Sequence, residues 1–144
     1  MTVTGTKEFD IKATPADVMA AIVAVEDLPG WSGPHKSVTV ETRFEDGRPH
    51  RVRADVSAVG FTDHQITDYT WNGDDYMSWS LQDSTLQAVQ EGTYRLTPTA
   101  KGTHVHFDLA LKPKIPLPGF VVKKVLSIAM DTASKGLTKF VESR

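Results

Sequence analysis

Residues 86–111 read LQAVQEGTYRLTPTAKGTHVHFDLAL, and this stretch decides the fold. In its first half, residues on one face of an extended chain are apolar or small: Leu86, Ala88, Gly92, Tyr94 and Leu96. In its second half the same alternation continues through Val105, Phe107, Leu109 and Leu111. Thr99-Ala100-Lys101-Gly102 separates the two halves. Alternation with a period of two predicts two half-buried strands, and the turn residues between them predict an antiparallel hairpin.

Four further alternating segments come before this hairpin. They are Val38 to Phe44, Val52 to Val56, Gln65 to Trp71 and Met77 to Leu81. Asp46-Gly47 and Asn72-Gly73-Asp74-Asp75 supply turn residues within each pair. Six strands joined by short turns predict an antiparallel meander with one covered face and one face in water.

The inward face of the segment Gln65 to Trp71 is left open by the sequence. Ile66 lies on one side of an extended chain, whereas Tyr69 and Trp71 lie on the other. A β-bulge would reconcile the two sides. Asp68 shares the side of Ile66, and we expect it to be a surface acid.

The residues before the meander predict one strand and one or two helices. Val3 to Ala13 alternates apolar and charged residues, as a half-buried strand does. The motif Thr14-Pro15-Ala16-Asp17 places an N-cap residue before a proline at the first helical position. An apolar stripe extends this helix to about Glu26, and Leu28 to Pro34 then predicts a short helix or turn.

The residues after the meander predict a long helix from about Pro118 or Gly119 to close to Arg144. Its apolar side carries Val122, Val125, Leu126, Ala129, Ala133, Gly136, Leu137 and Phe140. Its polar side carries Lys123, Lys124, Ser127, Asp131, Ser134, Lys135 and Glu142.

Three small residues, Ala129, Ala133 and Gly136, occupy the middle of the apolar stripe. Glycine in a helix interior costs about 1 kcal/mol relative to alanine, so Gly136 needs a structural reason. Either the small residues let the helix lie close to the sheet, or they leave a space unfilled.

Composition excludes several classes of function. The chain has 144 residues, which suits one domain spanning 1–144, and its net charge of −2 comes without a basic stripe. We therefore expect no nucleic-acid partner.

The absence of cysteine excludes disulfides and thiolate metal sites. We find no signal peptide and no stretch near the ~18 apolar residues of a membrane span, so we expect a cytoplasmic protein without stable membrane insertion. The oligomeric state stays unknown.

The start of the last helix carries a cluster of four lysines. Lys112, Lys114, Lys123 and Lys124 flank the apolar stretch Ile115 to Val122. We interpret the cluster as a solvated helix start, with contact to an anionic headgroup as the alternative.

The order of these elements resembles the helix-grip fold of the START-like, or SRPBCC, superfamily, which includes polyketide cyclases and pollen-allergen-type ligand carriers. Thr14-Pro15-Ala16-Asp17-Val18 and Leu28-Pro29-Gly30-Trp31 resemble its helix start and its turn, although Leu28 replaces an aromatic residue. Lys114 to Gly119 resembles the loop before the last helix in bacterial polyketide cyclase/dehydrase-like and coenzyme-Q-binding-like members. The resemblance implies an α+β fold in which a curved antiparallel sheet of about seven strands, in the order β-α-α-β6-α, wraps around the C-terminal helix.

The resemblance also implies a cavity between the sheet and the last helix. The side chains that we predict to line it are Trp31, Tyr69, Trp71, Trp79, Gln90, Tyr94, Phe107, Ala129, Ala133 and Gly136. Each aromatic residue alone is typical of an ordinary core. Together on a concave face they would suit a flat or aromatic ligand, with Trp31 in the Pro-Gly turn as a gate.

Catalytic chemistry is sparse in the sequence. His104, His106 and Asp108 share one strand face, but it is opposite the apolar face, so we expect them to face water and to hold no metal. No serine occurs in a Gly-x-Ser-x-Gly motif, and no glycine-rich phosphate loop is present. The polar residues expected to face inwards are led by Gln90 and Tyr94, without a carboxylate or histidine. We therefore assign no catalytic residue and no cofactor.

These observations favour a protein that binds a hydrophobic small molecule, such as a lipid, a quinone or a polyketide-like compound. The alternative is a polyketide aromatase/cyclase that acts on a chain bound in the same cavity, so enzyme activity is left open. A third hypothesis is a domain with a collapsed cavity that serves in protein assembly. The lack of an inward base favours the first hypothesis over the second.

Overall fold

The computed structural model describes residues 2–144, in which seven antiparallel strands form one sheet. The strands are β1 (Val3–Ile11), β2 (His35–Arg43), β3 (Pro49–Ala58), β4 (Phe61–Asn72), β5 (Tyr76–Ser84), β6 (Gln87–Thr99) and β7 (Gly102–Pro113). Strands β2 to β7 are neighbours in chain order, which confirms the predicted meander. Strand β1 pairs with β7, from Val3 opposite Leu111 to Ile11 opposite Thr103.

Three short elements connect β1 to the meander. They are α1 (Pro15–Val23), a 3₁₀ turn (Val25–Asp27) and α2 (Leu28–Trp31). The predicted N-cap is confirmed, since the Asp17 N–H donates to Thr14 Oγ1 at 3.2 Å. The helix ends before the predicted Glu26, because the tighter turn carries Val25 into the core, where it is 2% exposed.

The C-terminal helix contains a change of pitch that the prediction of a regular helix missed. It consists of α3 (Gly119–Asp131), a π-helical turn (Thr132–Gly136) and α4 (Leu137–Glu142). A π turn holds more residues than an α turn and therefore shifts the phase of the side chains. Ser134, which we expected on the polar side, is consequently buried. Its Oγ donates to the Met130 carbonyl at 2.7 Å, and the hydroxyls of Thr132 and Thr138 also donate to carbonyls one turn earlier.

Strand β4 keeps one inward face along its whole length. That face carries Asp63, Gln65, Thr67, Tyr69 and Trp71. Ile66 lies on the outer face. Asp68 also lies there, where its Oδ1 accepts a hydrogen bond from Arg51 Nε at 2.9 Å, as expected of a surface acid.

The bulge that would have reconciled the two faces lies in the neighbouring strand. Ile66 pairs with Asp83, but Thr67 pairs with Leu81, so Gln82 is an extra residue in β5. A bulge changes which side chains of its own strand face the core. The side chains of β5 therefore change faces at Gln82, whereas those of β4 alternate without interruption.

The long helix packs against the concave face of the sheet and closes the core. Phe107 and Met77 from the sheet and Leu137 from the helix are each 1% exposed or less. The rings of Trp31 in α2 and Phe140 in α4 stack with centroids 5.5 Å apart. This arrangement confirms the predicted α+β helix-grip architecture. Among residues 2–144, none of the helices has the length and hydropathy needed to cross a bilayer.

Candidate functional site

A cavity of about 160 Å³ lies between the concave face of the sheet and the C-terminal helix. Strands β2 to β7 supply one wall, and α1, α2, α3 and the π turn supply the other. Most of the lining side chains are apolar or aromatic. This mostly apolar lining with few polar groups is the usual one of a small-molecule site, whereas the volume is below that of a typical ligand pocket, about 300–1,000 Å³.

Most of the side chains in the predicted set lie around this cavity. Eight of the ten line it: Trp31, Tyr69, Trp79, Gln90, Tyr94, Phe107, Ala129 and Ala133. The small residues Ala129 and Ala133 therefore leave open space, which was one of the two explanations for the helix stripe. Because the space is open, the structure gives no support to a collapsed core.

Trp71 and Gly136 lie outside the lining, and their prediction as cavity residues is wrong. The Trp71 indole N–H donates to the Pro49 carbonyl at 2.7 Å, and the Arg48 guanidinium lies 5.5 Å from the ring centroid, so the ring is held at the start of β3. A Cβ at Gly136 would lie 3.3 Å from Trp31 Cε3. Gly136 therefore lets the C-terminal helix pack closely, but against Trp31 of α2 and not against the sheet.

The aromatic wall is centred on Trp79. The centroid of its ring lies 6.2 Å from Tyr69, 6.2 Å from Tyr94 and 5.9 Å from Phe107. Gly92, its partner on β6, makes room for this ring. A Cβ at Gly92 would overlap the benzo ring of Trp79 and would lie 2.5 Å from Cε2. The glycine thus allows the indole to lie against the sheet and leaves the cavity open.

A chain of amide hydrogen bonds runs along the wall from this ring. Trp79 Nε1 donates to Gln90 Oε1 at 2.9 Å, and Gln90 Nε2 donates to Gln87 Oε1 at 3.2 Å. Gln87 Nε2 then donates to Asp63 Oδ2 at 3.2 Å. The Gln90 amide is therefore already hydrogen-bonded on both sides, and the chain ends at a carboxylate.

Asp63 corrects the expectation that no carboxylate faces inwards. It is 5% exposed, and it accepts hydrogen bonds from Ser84 Oγ and Thr85 Oγ1 at 2.7 Å and from the Leu86 N–H at 3.0 Å. Burial alone would raise the pKa of Asp63, but hydrogen bonds from Ser84, Thr85 and Gln65 outweigh it and hold the pKa below its ordinary value. An ionised carboxylate with its lone pairs occupied stabilises the β5–β6 turn and is a poor base.

A signal for Asp63 was present in the sequence. It is in phase with Gln65, Thr67 and Tyr69 on β4. Three polar residues in succession on that face concealed its inward direction, because a search for apolar alternation treats such a face as solvent-exposed.

His35 is the second inward group that the sequence analysis missed. It lines the cavity at the start of β2, and its Nδ1 lies 2.6 Å from the hydroxyl of Ser32, which is 2% exposed. Burial lowers the pKa of His35 to about 4 because the surroundings disfavour the charged imidazole. The register between β2 and β3 shifts immediately after His35, so strand alternation did not indicate its direction.

The two tyrosines of the wall are neutral phenols. Burial raises the pKa of Tyr69 to about 12. Burial, with a further contribution from Tyr69, also raises the pKa of Tyr94, whose hydroxyl donates to the Ala133 carbonyl at 3.0 Å. These hydroxyls can orient a polar group, but they do not supply a base at neutral pH.

Trp31 contributes an unsatisfied donor beside the cavity. Its Nε1 is buried and has no hydrogen-bond partner within the part of the chain that the structure describes. Such a group lowers stability by about 1–3 kcal/mol relative to a satisfied one. The hydrogen bond from Trp79 to Gln90 provides a satisfied indole in the same wall for comparison.

His104, His106 and Asp108 lie on the outer face of the sheet, away from the cavity. Hydrogen bonds from His104 to Glu8 at 3.0 Å and to Asp10 at 2.8 Å raise the pKa of His104, with Glu8 contributing most. In residues 2–144, no three His, Asp or Glu side chains are grouped as metal ligands would be.

The fold and the cavity together define a START-like protein of the helix-grip class. The model of the family described as "Polyketide cyclase / dehydrase and lipid transport" matches residues 2–142, so the chain belongs to that family. A comparison with curated proteins found none that matches this chain.

Solved structures of the same class superimpose over nearly the whole chain. A START superfamily protein from Mycobacterium smegmatis is 26% identical, with a TM-score of 0.85 and coverage of 99% of this chain and 97% of that one. A protein from Thermus thermophilus is 22% identical, with a TM-score of 0.79 and coverage of 99% and 98%. The Zhui aromatase/cyclase from Streptomyces sp. R1128 is 11% identical, with a TM-score of 0.79 and coverage of 100% and 94%. At such identities the last two comparisons show a common fold.

Proposed function

We propose that this protein binds a hydrophobic small molecule, such as a lipid, a quinone or a polyketide-like compound, between the sheet and the C-terminal helix. The observation that carries the proposal is an open, aromatic-walled cavity of about 160 Å³. Transfer of apolar surface from water into such a space is favourable by about 25 cal/mol per Å². The family description includes lipid transport, which supports a carrier of hydrophobic molecules, and the net charge of −2 without a basic stripe gives no support to a nucleic-acid partner.

The polar groups of the wall support binding over acid–base catalysis. Asp63 has its lone pairs occupied, Tyr69 is neutral, and a histidine with a pKa of about 4 is a weak base at neutral pH. Neutral donors in an apolar wall suit recognition of one carbonyl or hydroxyl on an otherwise apolar ligand.

A polyketide aromatase/cyclase is the second candidate, and His35 is the observation in its favour. It places an imidazole in the cavity wall beside Ser32. An aldol cyclisation followed by loss of water needs a group that moves protons, and His35 is the side chain to which we would assign that role.

Mass spectrometry under native and denaturing conditions tests the binding proposal. Protein purified without detergent should carry an excess mass that disappears on denaturation, with an apolar compound in the organic extract. Equal masses under both conditions, together with no binding of the fluorophore 1-anilinonaphthalene-8-sulfonate, would count against a binding cavity.

Incubation with a linear poly-β-ketone distinguishes the second candidate. Product that has lost water in the presence of wild-type protein, but not of His35→Gln, would favour the cyclase. An unchanged poly-β-ketone would favour the binder.

A further inference from the structure

Exposed large apolar side chains are concentrated at one end of the molecule. Val59 is 38% exposed, Phe61 39%, Ile115 39% and Phe120 76%. They belong to the β3–β4 turn and to the segment that leads from β7 into α3. We call these four residues the apolar tip. Single exposed apolar residues are ordinary, but a cluster at one end indicates a surface that contacts something apolar.

The two parts of the apolar tip lie next to each other and adjoin the main cavity. Phe61 from the turn and Leu117 and Val121 from the second segment together line a smaller cavity of about 80 Å³. Gln65 and Gln87 belong to the walls of both cavities. The apolar tip therefore lies where the main cavity approaches the surface.

The backbone also holds an apolar residue in an unfavourable conformation at this place. Val59 has a φ of 47°, which is in the left-handed region, where a β-branched side chain is rare. Glycine or asparagine at this position would make the folded state more stable than valine does. A strained residue of this kind is often found at a functional site.

Positive charge is concentrated in the segment that carries Ile115 and Phe120. Residues 112–124 contain Lys112, Lys114, Lys123 and Lys124 and no Asp or Glu, whereas the whole chain has a net charge of −2. The four lysines are exposed, and none forms an ion pair with a carboxylate of residues 2–144. Lys114 Nζ donates to the Ser84 carbonyl at 2.7 Å, beside the exposed acid Asp83, so the group stays net positive.

We propose that the apolar tip docks this protein on the surface of a bilayer that contains anionic lipids. Phe120 and Ile115 enter the headgroup region, and the lysines contact lipid phosphates. Exposed apolar side chains, in a segment that carries four lysines without ion pairs and no acid, match the two components of such a surface. This contact is peripheral and reversible, and it presents the cavity end of the molecule to the membrane.

Vesicle cosedimentation of the full chain tests the proposal. The vesicles consist of phosphatidylcholine alone or of phosphatidylcholine mixed with phosphatidylglycerol, at low and high salt. Wild-type protein should sediment with the anionic vesicles and be released by salt. Phe120→Ser should bind about tenfold more weakly, and Lys123→Glu with Lys124→Glu at least about 25-fold more weakly, since each lysine contributes about fivefold.

Phe44→Ser is the matched control, because Phe44 is 41% exposed but precedes the β2–β3 turn. It should bind the vesicles as the wild type does, and thermal unfolding should show all the variants folded. Equal binding to neutral and anionic vesicles, or unchanged binding by Phe120→Ser, would overturn the proposal. Self-association that Phe120→Ser abolishes, measured by sedimentation velocity, would assign the apolar tip to a second copy instead. No cavity ligand is needed, so the outcome is independent of the proposed function.

Discussion

Gly92→Ala tests whether the aromatic wall is built as the structure indicates, because the Trp79 ring occupies the place of the added Cβ. The φ of Gly92 is not positive, so alanine suits the backbone and would by itself stabilise the protein by about 0.5–1 kcal/mol. However, the added Cβ displaces the Trp79 ring and overpacks the core, which lowers the free energy of unfolding by about 1–3 kcal/mol. It also breaks the hydrogen bond from Trp79 to Gln90, worth about 1 kcal/mol. We expect a net loss of about 1–3 kcal/mol.

Urea and thermal unfolding, followed by tryptophan fluorescence, measure this loss. A Tm lowered by about 3–10 °C is expected for a chain of this size. Gly30→Ala is the matched control, because a Cβ there would meet nothing within 4 Å and the residue lies in α2. Its stability should equal or exceed that of the wild type.

A double-mutant cycle identifies the clash itself. Trp79→Phe removes the benzo ring that the new Cβ overlaps, so Gly92→Ala should cost at least about 1 kcal/mol less in that background. Additive effects of the two substitutions, or a Gly92→Ala protein as stable as the wild type, would refute the reasoning.

Three further predictions concern the polar groups of the wall. Asp63→Asn should lower the free energy of unfolding by about 2–4 kcal/mol at pH 7, because an NH2 group replaces Oδ2 and faces the donors Gln65 Nε2 and Gln87 Nε2, and because the remaining hydrogen bonds lose their charged acceptor. Since the pKa of Asp63 is held low, the stabilisation by its carboxylate should be lost as the pH falls through the folded-state value. In the folded protein His35 stays neutral down to a pH of about 4, whereas in the unfolded chain it takes up a proton below about pH 6.5. The free energy of unfolding should therefore fall by about 2–3 kcal/mol as the pH is lowered from about 6.5 to about 4. Urea titrations at several pH values should show a smaller fall for His35→Gln. Trp31→Phe should destabilise the protein less than Trp79→Phe in the same assay. The first substitution removes a donor that has no partner, whereas the second removes the hydrogen bond from Trp79 to Gln90. An equal loss of stability in the two variants would contradict this argument.

The sheet and the helices could be predicted because each depends on local alternation. The hairpin of residues 86–111 and the N-cap at Thr14 needed only neighbouring residues. The π turn and the bulge at Gln82 depend on contacts between elements, and the periodicity of a single segment does not reveal such contacts. The inward face of β4 therefore stayed open in the sequence.

The residues around the cavities also include some that the sequence predicted and some that it missed. Trp79 and Phe107 lie on strands with clear alternation, and both line the cavity. Asp63 was hidden by a polar face, and His35 by a register shift at the start of β2. Gly136 was assigned to the cavity because a helix stripe cannot show whether a small residue meets space or a tryptophan ring.

Binding of a hydrophobic fluorophore to two leucine variants of the same helix tests the cavity most directly. Ala129 lines the cavity, whereas Ser127 is exposed on the outer side, so Ala129→Leu adds an isopropyl group to the cavity and Ser127→Leu serves as its control. In titrations with 1-anilinonaphthalene-8-sulfonate, Ala129→Leu should bind at least about tenfold more weakly than the wild type, a difference of about 1.4 kcal/mol. Ser127→Leu should bind as the wild type does. Equal affinities for both variants would contradict a ligand site between the sheet and the C-terminal helix.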